Sequence, residues 1–275
     1  TSTEAANGET ILTFSTVGSC EWTVPSNVAS VRVLVVGGGS SGGAGLSGVW
    51  WPQGGGGGAV VSNSSFTTTP GQSISVTVGG GGSASAGISN VYWPAGGGGG
   101  AVIYMPDVNI YSSQSYDIVV GAGGVSTPYQ GGAGQNSSAF GAIAAGGGTS
   151  GRHDSAPGTD GGSGGGAASN NQQLNQGGNP AGSSLDGNEG TIYGNSGGDQ
   201  IIGRSGYPTR GAGGGGAGEP ADNVNTREIT TSLNNTVGQG GDGIATEITG
   251  ISLYFGGGGG GGSFYNGFSG NGGLG

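Results

Sequence analysis

The sequence predicts a mainly β or irregular fold without α-helix, and three observations support this prediction. Glycine accounts for 75 of the 275 residues, and each glycine inside a helix costs roughly 1 kcal/mol relative to alanine. Short runs of β-branched residues lead directly into glycine runs, and one such unit recurs downstream. We therefore expect a small N-terminal β module followed by a sandwich or bundle of polyproline-II-like, glycine-rich helices with short β-strands.

Three segments are expected along the chain. Residues 1–36 should form an arm and the β module, residues 37–126 two glycine-rich repeats of 42 residues, and residues 127–275 a glycine-rich continuation of the same sandwich. Disorder is the alternative, because such a composition is typical of flexible segments. Disordered chains are usually highly charged and poor in aromatic residues, whereas 7% of these residues are charged and the chain has 4 Trp, 9 Tyr and 6 Phe.

The N-terminal module is predicted from three strand-like runs that follow a polar arm at residues 1–9. Residues 10–14 are rich in β-branched and aromatic types, residues 21–25 alternate polar and apolar, and residues 31–36 are apolar except for Arg32. Alternate residues of a strand share a face, so one face of these runs should be buried. The residues expected in this core are Trp22, Val24, Val33 and Val35.

The repeat joins a Trp-Pro dipeptide to a glycine run and a β-type run. Residues 51–61 show this pattern, and it returns 42 residues later at residues 93–103 without a gap. At the same offset residues 74–79 match residues 116–121, and residues 34–37 fall on the pattern one period earlier. Repetition at a fixed spacing is typical of stacked units that bury a face only against their neighbours.

Beyond Gly124 the period decays, although residues 136–143 predict a short strand and residues 244–255 a last apolar segment. Glycine brings no side chain to a core, so backbone hydrogen bonds must order the glycine runs. A polyproline-II-like strand has three residues per turn and no internal hydrogen bonds, and glycine permits the close approach that lets such strands pair. Flexible linkers are the alternative interpretation of these runs.

No enzymatic, metal or cofactor chemistry is predicted. His153, Asp154 and Ser155 adjoin, but no nucleophile motif leads from a strand into a helix around them. Residues 186–189 place oxygen atoms in a tight turn without the alternating ligands of an EF-hand loop, so a solvated turn is favoured and calcium binding stays open. The single Cys20 excludes a disulfide framework.

The charge and hydropathy of the chain disfavour two classes of partner, nucleic acid and the membrane interior. The net charge is −10, with five arginines and no lysine, which disfavours nucleic acid. No run approaches the ~18 apolar residues that a membrane span requires.

Aromatic residues at the tips of the repeats and beside the last glycine run are the candidate contacts with a ligand or with another subunit. Glycine neighbours offer no side chain for them to pack against, and exposed aromatic patches usually mark interfaces. Sugar stacking and subunit packing both remain open as interpretations. These residues are Trp50, Trp51, Tyr92, Trp93, Tyr254, Phe255, Phe264 and Tyr265.

Two segments near the start, CEWTVPSNV at residues 20–28 and VRVLVVGGG at residues 31–39, resemble the opening of a known family. This family comprises the glycine-rich domains of phage tail-fibre adhesins and bacterial surface proteins. Residues 70–79 and 136–142 are similar to its internal strand motifs. The resemblance implies a sandwich of polyglycine/polyproline-II helices with β elements, and receptor binding through loops at the tips.

The function predicted is that of a non-enzymatic, extracellular structural protein that self-assembles into a fibre or surface filament with an adhesive role. We expect the arm at residues 1–9 to add to the sheet edge of a neighbour. A receptor-binding adhesin at the tip of a phage tail fibre, located on the virion, is the alternative. An ice-binding protein, suggested by the threonines at residues 67–69, is the third. Expected partners are other copies of the chain, and also cell-surface glycans or outer-membrane protein loops.

Overall fold

The computed structural model describes residues 2–4, 10–42, 56–81, 97–106, 115–126, 130–151, 157–168, 175–201, 211–225, 237–248, 251–262 and 270–275. Within these ranges the protein is all-β and has no helix, which confirms the predicted fold class. The short lengths of the strands follow from the glycine runs that interrupt the β-branched segments.

The first eight strands are β1 (Ser2–Glu4), β2 (Thr10–Leu12), β3 (Gly18–Thr23), β4 (Ser30–Val36), β5 (Val60–Thr67), β6 (Ser73–Val78), β7 (Val102–Met105) and β8 (Tyr116–Val120). The next strands are β9 (Ser137–Ala139), β10 (Ala142–Ala144), β11 (Thr191–Tyr193), β12 (Gln200–Ile201), β13 (Val224–Asn225), β14 (Ile244–Thr246) and β15 (Leu253–Phe255).

Two sheets enclose the main hydrophobic core. One has five strands in the order β10-β9-β8-β6-β3, and the other has four in the order β11-β7-β5-β4. Phe66 of the second sheet is fully buried, and its ring meets Tyr116 of the first sheet edge-on at a centroid distance of 6.1 Å. The buried core residues are Val24, Val35, Ala59, Val61, Phe66, Ile74, Val76, Ala101, Ile103, Met105, Ala139, Phe140, Ala142 and Ala144.

The four residues expected in the N-terminal core all lie at this core. Val24 is 1% exposed and Val35 is 3% exposed, whereas Trp22 and Val33 are partly buried and pack against it. On β4 the alternate residues that face the core are valines, as the period of a strand requires.

Two of the parallel strand pairs in the described residues join residues that are 42 positions apart. β5 pairs with β7 so that Val60 lies opposite Val102, and β6 pairs with β8 so that Ile74 lies opposite Tyr116. The register between these strands therefore equals the offset of the sequence repeat, because each repeat contributes one strand to each sheet. The segment boundaries at residues 36 and 126 stay predictions.

The strands expected to form one N-terminal module lie in three different sheets. β2 pairs with β1 in a two-stranded sheet, β3 pairs antiparallel with β6, and β4 pairs antiparallel with β5. The alignment of residues 34–37 with residues 76–79 is therefore wrong as a structural repeat, since β4 and β6 belong to opposite sheets. Both runs are rich in valine and end at glycine, and this shared composition makes them look equivalent.

The strand predicted over residues 136–143 is a hairpin in the structure. Phe140 and Gly141 connect β9 to β10 with φ values of 56° and 85°, and two positive φ angles are typical of tight hairpin turns. A bulky residue rarely adopts this conformation. Here the Phe140 ring is buried with its centroid 4.0 Å from that of Phe66, and this packing offsets the strain.

The glycine runs between the strands hydrogen-bond to one another with a period of three residues. Every third N–H of residues 211–217 donates to the run 256–262, and the N–H groups that follow donate to residues 164–167. The first set of donor–acceptor pairs is Gly211–Gly262, Gly214–Gly259 and Ala217–Gly256. Three residues per turn is the period of a polyproline-II helix, and that conformation stays a prediction.

Residues 97–101 form one of the enclosed runs in the described part of the chain, and all five are buried. The side chain of Ser40 also reaches this run, because its hydroxyl donates to the Gly98 carbonyl and accepts from the Gly56 N–H, both at 3.0 Å. The backbone partners of residues 97–101 are Gly57, Val60, Ala145, Gly148, Ser163, Gly215 and Gly259. This one run therefore connects segments from most of the chain.

Side chains do not fit at most positions in these runs. A Cβ built on Gly99 would collide with the carbonyl of Gly256, and one built on Gly100 would collide with the backbone of Ala59. Gly80 differs, because nothing lies within 4 Å of a Cβ added there.

We expect Gly99→Ala to destabilise the protein by at least about 3 kcal/mol, because overpacking and lost backbone hydrogen bonds add. Gly80→Ala is the matched control and should change stability by less than about 1 kcal/mol. Thermal unfolding followed by circular dichroism measures both. Equal melting temperatures for the two variants would contradict the close packing of the runs.

Candidate functional site

The sequence-predicted aromatic contacts divide into two groups. Tyr254 and Phe255 lie on β15, where Tyr254 is 44% exposed and Phe255 is half-buried. Phe255 packs against a second, smaller apolar cluster that contains Val60, Val102 and Ala217. The other predicted contacts lie outside the described residues, and these are Trp50, Trp51, Tyr92, Trp93, Phe264 and Tyr265.

A pocket of about 150 Å³ lies where the β14–β15 hairpin meets the outer face of the four-stranded sheet. Its floor is formed by Val60 and Val102, which point away from the main core because their neighbours Val61 and Ile103 point into it. The hairpin closes one side with residues 244–246 and Phe255. We call this space the sheet pocket.

The sheet pocket combines aromatic rings with hydroxyl groups. Tyr104 and Tyr193 line it together with Phe255, and Tyr104 is 39% exposed. Ser62 also lines the pocket and is 3% exposed, yet its hydroxyl has no hydrogen-bond partner in the described structure. No charged side chain lines the pocket, so it suits a neutral group.

The second candidate surface is an exposed stretch at residues 12–21, which we call the edge segment. Every residue of the edge segment is exposed, including the apolar residues Leu12, Phe14 and Val17. It runs into β3, the last strand of the five-stranded sheet, which pairs with β6 on one side and with no other described strand. An exposed apolar stretch beside an open sheet edge is typical of a protein–protein contact.

The other candidate sites from the sequence, a calcium-binding turn and a catalytic triad, gain no support from the described residues. Asp186 and Gly187 form a turn, and the Asn188 side chain donates to the carbonyls of Phe140 and Leu185. The residues described contain no group of three or more His, Cys, Asp or Glu that could hold a metal. His153, Asp154 and Ser155 lie outside them.

The threonines at residues 67–69 do not present three side chains at the surface. Thr68 is 4% exposed, and its hydroxyl donates to the Val28 carbonyl at 3.0 Å. In the described ranges there is likewise no helix that is long and apolar enough to cross a membrane.

The fold defines an all-β, glycine-rich sandwich protein. The model of the glycine-rich domain family matches residues 14–94 and residues 80–275, and the chain belongs to this family. No curated protein and no solved structure matches the chain.

Sequence reasoning missed both the sheet pocket and the exposure of the edge segment. The pocket depends on residues 244–246 and 253–255 folding back as a hairpin onto β5 and β7, which no local pattern indicates. The edge segment had a partial signal, since Val17 does not continue the alternation that Trp22 and Val24 set in the next strand-like run.

The two neighbours on β15 should respond differently to truncation. We expect Phe255→Ala to cost about 2 kcal/mol, less than full burial would give, because the ring is half-buried against the smaller cluster. The Tyr254 side chain is exposed, so Tyr254→Ala should lower the free energy of unfolding by less than about 0.5 kcal/mol. Urea unfolding measures both values. A larger loss for Tyr254→Ala than for Phe255→Ala would contradict the register of the hairpin.

Proposed function

We propose that the protein is a non-enzymatic, extracellular structural subunit that assembles with copies of itself into a fibre or surface filament with an adhesive role. The observation that supports this function best is the edge segment, in which apolar residues and an open strand edge lie side by side. A second copy is a suitable partner, because β1 and β2 of the same chain pair only with each other and could pair with an edge on a neighbour instead.

The strands available for exchange are β1 and β2. They form a separate two-stranded sheet with three residue pairs, from Ser2 opposite Leu12 to Glu4 opposite Thr10. An isolated two-stranded hairpin is marginally stable at best in water. We propose that β1 of one copy adds to the β3 edge of the next, where backbone hydrogen bonds give the affinity.

This contact joins two different surfaces of the subunit, the arm and the β3 edge. A contact between unlike surfaces continues indefinitely unless its rotation closes a ring. The low charge of the edge segment favours the contact, because among its residues only Glu21 is charged. A filament is therefore the expected product of the geometry.

A receptor-binding adhesin at the tip of a phage tail fibre is the alternative function. The observation that favours it is the exposed ring of Tyr254 beside a glycine run, in a chain of the glycine-rich domain family. Such an adhesin would work as a discrete particle on the virion. The two functions therefore differ in the assembly state that they require.

Val17→Lys should weaken assembly, because Val17 is 65% exposed in the edge segment and the contact would bury an unpaired ammonium. We expect the concentration needed for filaments to rise by about tenfold or more, which corresponds to about 1.4 kcal/mol. Negative-stain electron microscopy and sedimentation over a concentration series measure it.

Val125→Lys is the matched control, since Val125 is also 65% exposed and lies outside the edge segment. It adds the same charge and should assemble like the natural chain. Discrete particles of the natural chain at every concentration would overturn the filament and favour the adhesin. A variant without residues 1–9 that still forms unchanged filaments would exclude strand addition by the arm.

A further inference from the structure

We propose that the sheet pocket is a binding site for a neutral sugar ring, of the kind found in cell-surface glycans. This inference deepens the adhesive part of the proposed function and is independent of filament formation. It depends on the aromatic rim of the pocket, the unpartnered hydroxyl of Ser62 and the absence of charge among the lining residues.

The walls of the sheet pocket suit a flat ligand with an apolar face. Tyr104, Tyr193 and Phe255 come from β7, β11 and β15, so three separate strands bring an aromatic ring to one space. Ligand sites are usually lined by aromatic and apolar side chains with a few placed polar groups. A sugar ring has an apolar C–H face, which an aromatic ring can cover.

Ser62 supplies the polar group. Burying a hydroxyl without a hydrogen bond costs free energy, so buried hydroxyls are nearly always paired. The Ser62 side chain lies at the floor of the pocket on β5, and its oxygen has no partner in the part of the chain that the structure describes. A serine hydroxyl both donates and accepts, and a rotation of the Ser62 side chain toward the pocket would let its hydroxyl pair with a sugar hydroxyl.

The size and charge of the site narrow the ligand further. A cavity of about 150 Å³ accommodates one six-membered ring, and the exposed Tyr104 at the rim leaves room for further sugars outside. Acidic sugars are disfavoured, because the lining has no cation and the chain has a net charge of −10. The class that remains is a neutral hexose, free or at the end of a glycan chain.

The test is a titration of the full chain with the methyl glycosides of glucose, galactose and mannose, followed by isothermal calorimetry and by the tyrosine fluorescence change. We expect saturable binding of at least one glycoside. Ser62→Ala should weaken it about fivefold through loss of one hydrogen bond, and Tyr104→Ala should weaken it more. Tyr104→Phe keeps the ring and should stay within about threefold of the natural chain, because its hydroxyl only reaches Ser64 at 3.4 Å.

Ser75→Ala is the matched control, since Ser75 lies on β6 in the opposite sheet, and it should bind like the natural chain. Binding of glucuronic acid as tightly as glucose would overturn the neutral class. Absence of binding to every neutral glycoside would overturn the site. So would Ser62→Ala and Tyr104→Ala variants that bind as tightly as the natural chain. If Tyr104→Ala blocked filament formation while no glycoside bound, the pocket would instead receive a side chain of a second copy. Filament formation by a chain that binds no sugar would leave the structural function intact.

Discussion

The close approach of glycine backbones is the constraint on which the rest of the structure depends. Ordering a glycine is entropically expensive, and the runs recover this cost through hydrogen bonds between segments that are far apart in sequence. Gly99 uses both of its backbone groups in this way. Its N–H donates to the Gly215 carbonyl and its own carbonyl accepts from the Ser163 N–H, each at 2.8 Å. A Cβ on Gly99 would collide with the carbonyl of Gly256 in a third segment. Glycine is required there for space.

The backbone pairing of the glycine runs and the side-chain packing of the sheets meet at the ends of the strands. Val60 and Val102 each follow a glycine run and one buried alanine, so a single segment passes from backbone pairing into side-chain packing. The glycine runs extend the ordered structure beyond the main hydrophobic core. Since the runs have no side chains to present, surfaces for recognition must come from strands and hairpins at their ends.

The glycine runs order the chain, whereas the strands and hairpins carry the side chains on which the proposed function depends. The edge segment and the sheet pocket both belong to the β part of the molecule, one beside β3 and the other on the outer faces of β5 and β7. They lie on different sheets, so the proposed assembly and the proposed sugar binding would use different side chains.

Much of the fold could be predicted from the sequence, because strand and helix propensities are local. The absence of helix follows from glycine content, and the 42-residue offset reappears as the register of two parallel strand pairs. Sheet membership could not be predicted, since β4 and β6 have similar runs but belong to opposite sheets. The sheet pocket could not be predicted either, because it forms only when the β14–β15 hairpin contacts residues more than 130 positions earlier in the chain.

Hydrogen exchange resolved by residue tests the ordering of the glycine runs most directly. If backbone pairing holds them, the amides of Gly98, Gly99 and Gly100 should open with a free energy within about 1 kcal/mol of global unfolding, like the amide of Ile103 in the core. The amide of Gly187, in an exposed turn, should exchange rapidly. Rapid exchange at Gly98, Gly99 and Gly100 while Ile103 stays protected would contradict the account.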